Sequence, residues 1–197
     1  MSVTFSGNHQ SQDPGELRRF IDLLISRGVR SYCEIGARHG DTFHAVMSSL
    51  PVGSFGMAVD LPNGAWGKKG TDSSLNRAAD DLRKRGYDVE VVLGNSHSPE
   101  VRQRVGAFSP LDALFIDADH TLDGVKTDWL AYKDMSRIVA FHDINGDGQT
   151  DKARGLPIEV HKLWRDLRQK YCHVEFVNPA AKFGIGALFV KETSDGI

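Results

Sequence analysis

The chain has 197 residues, 40% of them hydrophobic, and 24 Lys and Arg stand against 26 Asp and Glu for a formal net charge of −2. That length fits one domain, 1–197, with a core large enough to need no staples, and the near-neutral balance supplies no global field to draw nucleic acid or an anionic membrane. No apolar run reaches the length of a membrane span, Met1-Ser2-Val3-Thr4-Phe5-Ser6 has neither a basic head nor an apolar signal core, and Cys33 and Cys172 are the only cysteines, so free thiols in a reducing, cytoplasmic setting are expected.

After an N-terminal tail over 1–12, Asp13-Pro14-Gly15-Glu16 reads as a cap, a proline at the first helical position and a capping-box glutamate. Leu17, Phe20, Ile21 and Leu24 continue as an apolar stripe that stops at Gly28. The most informative stretch follows: Tyr32-Cys33-Glu34-Ile35 is a short strand running into Gly36 and Gly40, spaced Gly-x-x-x-Gly, and then a helix start at Asp41-Thr42. Gly36 can take positive φ and lets a ligand approach bare backbone, Gly40 relieves the strand-to-helix crossing, and the helix aims its free amides into the turn. Arg38 stands where a dinucleotide fingerprint needs its second glycine, so the turn suits a ligand without phosphates.

A second strand, Phe55-Gly56-Met57-Ala58-Val59, ends at Asp60, where a carboxylate can accept both hydroxyls of a ribose. A flap near 61–72 carries Trp66. A helix over Ser73 to Arg85 turns Leu75, Ala78, Ala79 and Leu82 inward, and Gly86 stops it. Val89-Glu90-Val91-Val92-Leu93 closes on Gly94-Asn95-Ser96, Ser98-Pro99-Glu100 opens another helix, and Leu114-Phe115-Ile116 closes on Asp117-Ala118-Asp119-His120. Leu122, Val125, Trp129 and Tyr132 space the next helix, and a fifth strand ends in Ala140-Phe141-His142-Asp143. From Asp143 the chain also matches the opening of a calcium loop, but Arg154 occupies its twelfth position and a strand leads in, so a Gly/Asp-rich flap near 145–156 is favoured. Pro157 is expected to open a last helix bearing Val160, Leu163, Trp164, Leu167 and Tyr171. The strands His173-Val174-Glu175-Phe176-Val177 and Gly186-Ala187-Leu188-Phe189-Val190 then form an antiparallel closing pair.

The expected architecture is α/β: a single-domain, doubly wound, Rossmann-like sheet of about seven strands with an antiparallel last strand, its ligands at the carboxyl ends of the strands. Polar features at five strand ends would then share one rim.

Taken together, Glu34/Gly36/Gly40, Asp60, Asn95-Ser96, Asp117-x-Asp119-His120 and Phe141-His142-Asp143 resemble the class I S-adenosylmethionine-dependent methyltransferases, closest to the metal-assisted O-methyltransferases of sugars and natural products. The likeness covers roughly Gln12 to Val190. It implies that Glu34 and the backbone around Gly36 and Gly40 hold the methionine end of S-adenosylmethionine, Asp60 the ribose and Asn95-Ser96 the adenine edge, with Asp117 beside the cofactor. It also implies Asp117, His142 and Asp143 as ligands of a divalent metal, magnesium or manganese, and His120 as the base where relatives carry a lysine. His142 departs from the carboxylate or amide of those relatives and shifts preference away from magnesium. Asp119 could fix the His120 tautomer, whereas His39, His44 and His97 form no ligand set and are taken as solvated or substrate-facing.

Three functions follow: a metal-assisted O-methyltransferase acting on a small-molecule hydroxyl, a nucleotide-dependent oxidoreductase, or a catalytically silent cofactor-binding protein. Arg38 counts against the second, and the retention of Asp117, His120 and Asp143 against the third. Sugar, phenol and peptide antibiotic all stay open as acceptor, a homo-oligomer is left open, and neither nucleic acid nor membrane is expected as a partner.

Overall fold

The computed structural model describes residues 12–66, 70–145, 150–151 and 155–190. The tail up to residue 11 and parts of both expected flaps, 67–69, 146–149 and 152–154, lie outside the described residues. Helix α1 (Pro14–Ser26) begins as its sequence predicts: the Asp13 carboxylate accepts the N–H groups of Gly15 and Glu16, both at 2.9 Å, and Pro14 sits where a missing N–H is harmless. Glu16, however, closes no capping box. It is buried, and its Oε1 accepts the Asn178 N–H at 2.7 Å, tying the start of α1 to a loop 162 positions away. A buried carboxylate needs a donor, and the tertiary fold delivers one that local spacing cannot foresee.

The chain continues through β1 (Ser31–Ile35), α2 (Asp41–Ser49), β2 (Phe55–Asp60), α3 (Thr71–Lys84), β3 (Asp88–Leu93), α4 (Pro99–Gly106), β4 (Leu111–Ile116), α5 (Leu122–Tyr132) and β5 (Ser136–His142). It ends in a short ribbon, β6 (Thr150–Asp151) with β7 (Leu156–Pro157), then α6 (Val160–Leu167), β8 (Cys172–Phe176) and β9 (Ile185–Phe189). Seven strands form one sheet in the order β3-β2-β1-β4-β5-β9-β8, the first five parallel and β9 antiparallel to both neighbours. This is the expected architecture.

Alternating side chains along the strands feed two separate cores. Phe115 and Ala140 pack with Leu17, Phe43 and Leu75 of α1 to α3 on one face, whereas Leu114, Ile116 and Val139 pack with Val105, Trp129 and Leu163 of α4 to α6 on the other. Strands covered on both faces read as nearly unbroken apolar runs, and β5 is buried along all but one of its positions. Where β9 passes α6, a Cβ on Gly186 would lie 2.5 Å from the Trp164 ring, so that glycine makes room for the indole.

One helix start differs from expectation. Pro157 opens no helix; it pairs with Thr150 in the ribbon, and α6 starts at Val160 after Glu159. The reason is tertiary: the Glu159 N–H donates to the His120 carbonyl at 2.7 Å and its Oε2 accepts the Leu122 N–H at 3.2 Å, which ties Glu159 to the start of α5. Cys33 and Cys172 are both free thiols. Among the described residues no helix is long and apolar enough to cross a membrane.

Candidate functional site

The strand order reverses between β1 and β4, since the chain leaves β1 for β2 on one side and returns for β4 on the other. Such a switch opens a crevice at the carboxyl ends of the strands. Here it is a cavity of about 540 Å³, within the usual range for a small-molecule site. Glu34 and Gly36 after β1, Asp60 ending β2, Asn95 and Ser96 after β3, Asp117 and His120 after β4, and His142 and Asp143 after β5 all line it. Gly40 does not. At φ +85° it begins α2, and a Cβ there would meet Ala78 and Leu75 at 3.0 Å, so the structure gives it a packing role and leaves the cavity wall to Gly36.

Gly36 is where the ligand-facing turn depends most on glycine. Its φ is +94°, and a Cβ would sit 2.3 Å from the Asp117 carbonyl oxygen, so any side chain would drive β1 and β4 apart at the crevice. Asp60 is buried at the end of β2. Its Oδ1 accepts the Arg38 N–H at 2.9 Å and its Oδ2 the Thr71 hydroxyl at 3.3 Å, which fixes the carboxylate while leaving lone pairs for a ligand. Burial raises its pKa in spite of those bonds. Arg38 itself takes the left-handed conformation, φ +50°, and contributes the lone Lys or Arg among the described residues lining the cavity, with its Nε buried and without a hydrogen-bond partner.

Glu34 lies under the turn, 1% exposed, and accepts the Tyr32 hydroxyl at 2.7 Å. Burial pushes its carboxyl up from 4.5 to about 8, with the Asp117 and Asp60 carboxylates adding to the effect, although the Tyr32 hydrogen bond opposes it. An acid raised on folding stabilises the native state fully below its unfolded pKa, and this contribution is lost as pH rises through the folded value. Glu34→Gln should therefore melt at a higher temperature than the wild type at pH 8, with the difference shrinking toward pH 4.5. Scanning calorimetry across that window tests this; an equal offset at every pH would refute the shift.

At the other end of the cavity four titratable side chains converge. Asp117, His120 and Asp143 each bring a ligand atom within 4.8 Å of the others. Asp143, at φ +60°, turns its carboxylate back so that Oδ2 pairs closely with His120 Nδ1, while Oδ1 lies 3.1 Å from His142 Nδ1. Asp117 Oδ1 lies 3.2 Å from that same nitrogen and 3.7 Å from His120 Nε2. Burial works to lower the His142 imidazole, but Asp143 and Asp117 outweigh it and lift it to about 9; the same balance raises His120. Burial likewise works to raise Asp143, and the two histidines hold it below the ordinary carboxylate range.

This trio holds Asp117 and Asp143 of the expected ligand set together with His120, the expected base. His142, the third expected ligand, also faces both carboxylates, through Nδ1, and its Nε2 is buried without a partner. The left-handed turn at Asp143, a conformation the sequence does not announce, brings its carboxylate against both His120 and His142. The donor set fits a divalent cation: two carboxylates and an imidazole, with Oδ1 of Asp117 and of Asp143 buried and receiving no aligned hydrogen bond.

Further neighbours complete the site. Gln12, read only as the end of a tail, is 5% exposed and its Nε2 donates to Asp117 Oδ2 at 2.8 Å; no local pattern marks it. Trp66 packs its ring 4.5 Å from that of His120 and donates to Asp119 Oδ1 at 3.1 Å. Asp119 does not orient His120, since its Oδ1 also takes the N–H and hydroxyl of Thr121, the cap of α5. Phe183, 5.8 Å from the His142 ring, and Ile158 add apolar wall. Of the remaining histidines, His44 pairs with Asp81 at 2.8 Å between α2 and α3, whereas His39 and His97 line the cavity.

No family model matches the chain, and no curated protein does. Solved structures do match. TomG, an O-methyltransferase of Streptomyces achromogenes involved in tomaymycin synthesis and solved with SAM, has a TM-score of 0.64 over 91% of this chain and 81% of its own, at 15% identity. The fold is that of the O-methyltransferases. An O-methyltransferase from Bacillus cereus in complex with SAH gives 0.63 at 16% identity over 93% of this chain and 84% of its own. A Staphylococcus aureus protein provisionally assigned as a caffeoyl-CoA O-methyltransferase gives 0.66 at 13% identity over 91% and 85%. At these identities the likeness establishes the shared fold, and function rests on the site.

Proposed function

We propose that the protein is an S-adenosylmethionine-dependent methyltransferase that transfers the methyl group to a hydroxyl of a small-molecule acceptor, assisted by a divalent cation. The observation that carries this reading is the convergence of Asp117, His120 and Asp143 at one end of the cavity whose other end is built by Gly36, Asp60 and Asn95. A cofactor bound with its ribose at Asp60 and its methionine end along Gly36 and Glu34 would present its sulfonium toward that cluster. The solved neighbours that hold SAM or SAH share the fold that creates this crevice.

Asp117, His120 and Asp143 would hold the cation. Bound there, a divalent metal would supply Lewis-acid polarisation that lowers the pKa of the acceptor hydroxyl. His142 lines the same cavity, and its neutral form, populated as pH rises toward the value near 9, has a buried nitrogen placed to accept the hydroxyl proton. Trp66, Ile158 and Phe183 keep water from the acceptor, and because methyl transfer needs in-line geometry, much of the rate then comes from positioning. Manganese or another metal that accepts imidazole suits this set better than magnesium.

The cofactor half is tested at Asp60. Asp60→Ala should weaken S-adenosylhomocysteine binding by about 1–3 kcal/mol through loss of hydrogen bonds to a ribose left unpaired. Calorimetry that finds no heat with S-adenosylhomocysteine and tight binding of a nicotinamide dinucleotide would overturn the reading in favour of an oxidoreductase.

A further inference from the structure

Behind the wall formed by Asn95 and Ser96 lies a charged group with no part in the scheme above. Asp128 of α5 is fully buried, and neither of its carboxylate oxygens receives an aligned hydrogen bond. Its ion-pair partner is His97, whose Nε2 lies 3.3 Å from Asp128 Oδ1. Burying a carboxylate is unfavourable unless the charge has a partner, so a fully enclosed aspartate with one histidine beside it makes that histidine its counter-ion.

His97 ends the turn that follows β3. Asn95 Oδ1 accepts the His97 N–H at 2.9 Å, and the Asn95 carbonyl accepts the Ser98 N–H at 2.9 Å, so 95–98 moves as one knot. The same helix grips this knot a second time: the Tyr132 hydroxyl donates to the Ser96 carbonyl at 2.6 Å. Asp128 and Tyr132 are four residues apart and share one face of α5. Asn95, Ser96 and His97 line the cavity on the other side.

We propose that Asp128 is a positioning residue which, acting through His97, latches the 94–97 turn to α5 and so holds Asn95 and Ser96 against the nucleoside of the cofactor. The proposal rests on the reading of this cavity as an S-adenosylmethionine site. The latch is closed while His97 carries its proton. The Asp128 carboxylate 3.3 Å away raises the His97 pKa from its ordinary value, burial opposes it, and Asp119 and Gly124 act in the same direction as Asp128. Tyr132 lies within reach of the Asp128 charge, and Arg102 of α4 and Cys33 are the further titratable groups near Tyr132. Nucleoside affinity should therefore be greatest at low pH and fall as His97 loses its proton.

The test uses the full chain, in chelator, with 5′-methylthioadenosine beside S-adenosylhomocysteine. The first compound lacks the amino-acid end, which the reading lays along Gly36 and Glu34, and so reports on the nucleoside without the Glu34 carboxyl. Affinity is measured by calorimetry between about pH 6 and pH 9, the range in which imidazole titrates. Asp128→Asn and His97→Gln should each bind 5′-methylthioadenosine about tenfold more weakly at the low end and lose the pH slope. Tyr132→Phe removes the second grip, so it should weaken binding while keeping the slope. Wild-type affinity in both latch variants, or weakened affinity with the wild-type slope intact, overturns the latch and leaves Asp128 a packing residue. A wild type that binds neither compound overturns the latch and the cofactor reading together.

Discussion

Asp117→Asn and Asp143→Asn are each expected to lower kcat/KM by a factor on the order of 10²–10³, because each removes one anionic ligand from the cluster that would hold the cation. Manganese titrated calorimetrically into either variant should bind more weakly than into the wild type, and chelator should silence the wild type reversibly. Asparagine is the informative replacement. It keeps the shape of both side chains and tolerates the left-handed φ of +60° at Asp143, so the variants should fold. The two buried histidines lose a counter-charge in either variant, but an imidazole can shed its proton, so the stability cost stays below that of stranding a permanent cation. Full activity of the wild type in excess chelator, with no metal in the purified protein, would remove the cation from the mechanism and leave proximity alone to drive transfer.

The second large effect separates the two histidines. His120→Ala should lose metal affinity and activity together, whereas His142→Gln should bind manganese within about tenfold of wild type and still lose about 10²-fold in kcat, the typical contribution of a positioned acid or base. The basis is positional: both nitrogens of His120 face a carboxylate, whereas His142 meets both carboxylates through Nδ1 alone and leaves Nε2 buried in the cavity wall without a partner. The inverse outcome, metal lost with His142 and kept without His120, would restore the roles that resemblance alone assigns. Metal content by plasma spectrometry and single-turnover methyl transfer give the two readouts independently.

Some of this was legible residue by residue. The cap at Asp13, the stripe Leu17-Phe20-Ile21-Leu24, the apolar strands and the Gly36 turn are local features, set by the preferences of a few neighbouring residues, and each appears where spacing places it. The convergence of Glu34, Asp60, Asn95 and Asp117 on one rim was legible too, because parallel crossovers leave every strand end on the same side. Gln12, Asp128 and Glu159 were not. Their partners, Asp117, His97 and the start of α5, lie between 31 and 105 positions away, and a hydrogen bond over that separation leaves no periodic mark.

What the sequence by itself determined, then, is the alternation of helices and strands, the doubly wound sheet, and the set of polar residues delivered to its carboxyl rim, since all three follow from short-range propensity and from the handedness of parallel connections. The tertiary structure alone decided which of those residues touch. Asp143 turns back through a left-handed conformation, His120 meets both carboxylates, His142 is drawn between them, and His97 pairs with a buried aspartate. Those contacts depend on side-chain directions and loop conformations set by packing from both faces of the sheet, and packing is a property of the whole chain.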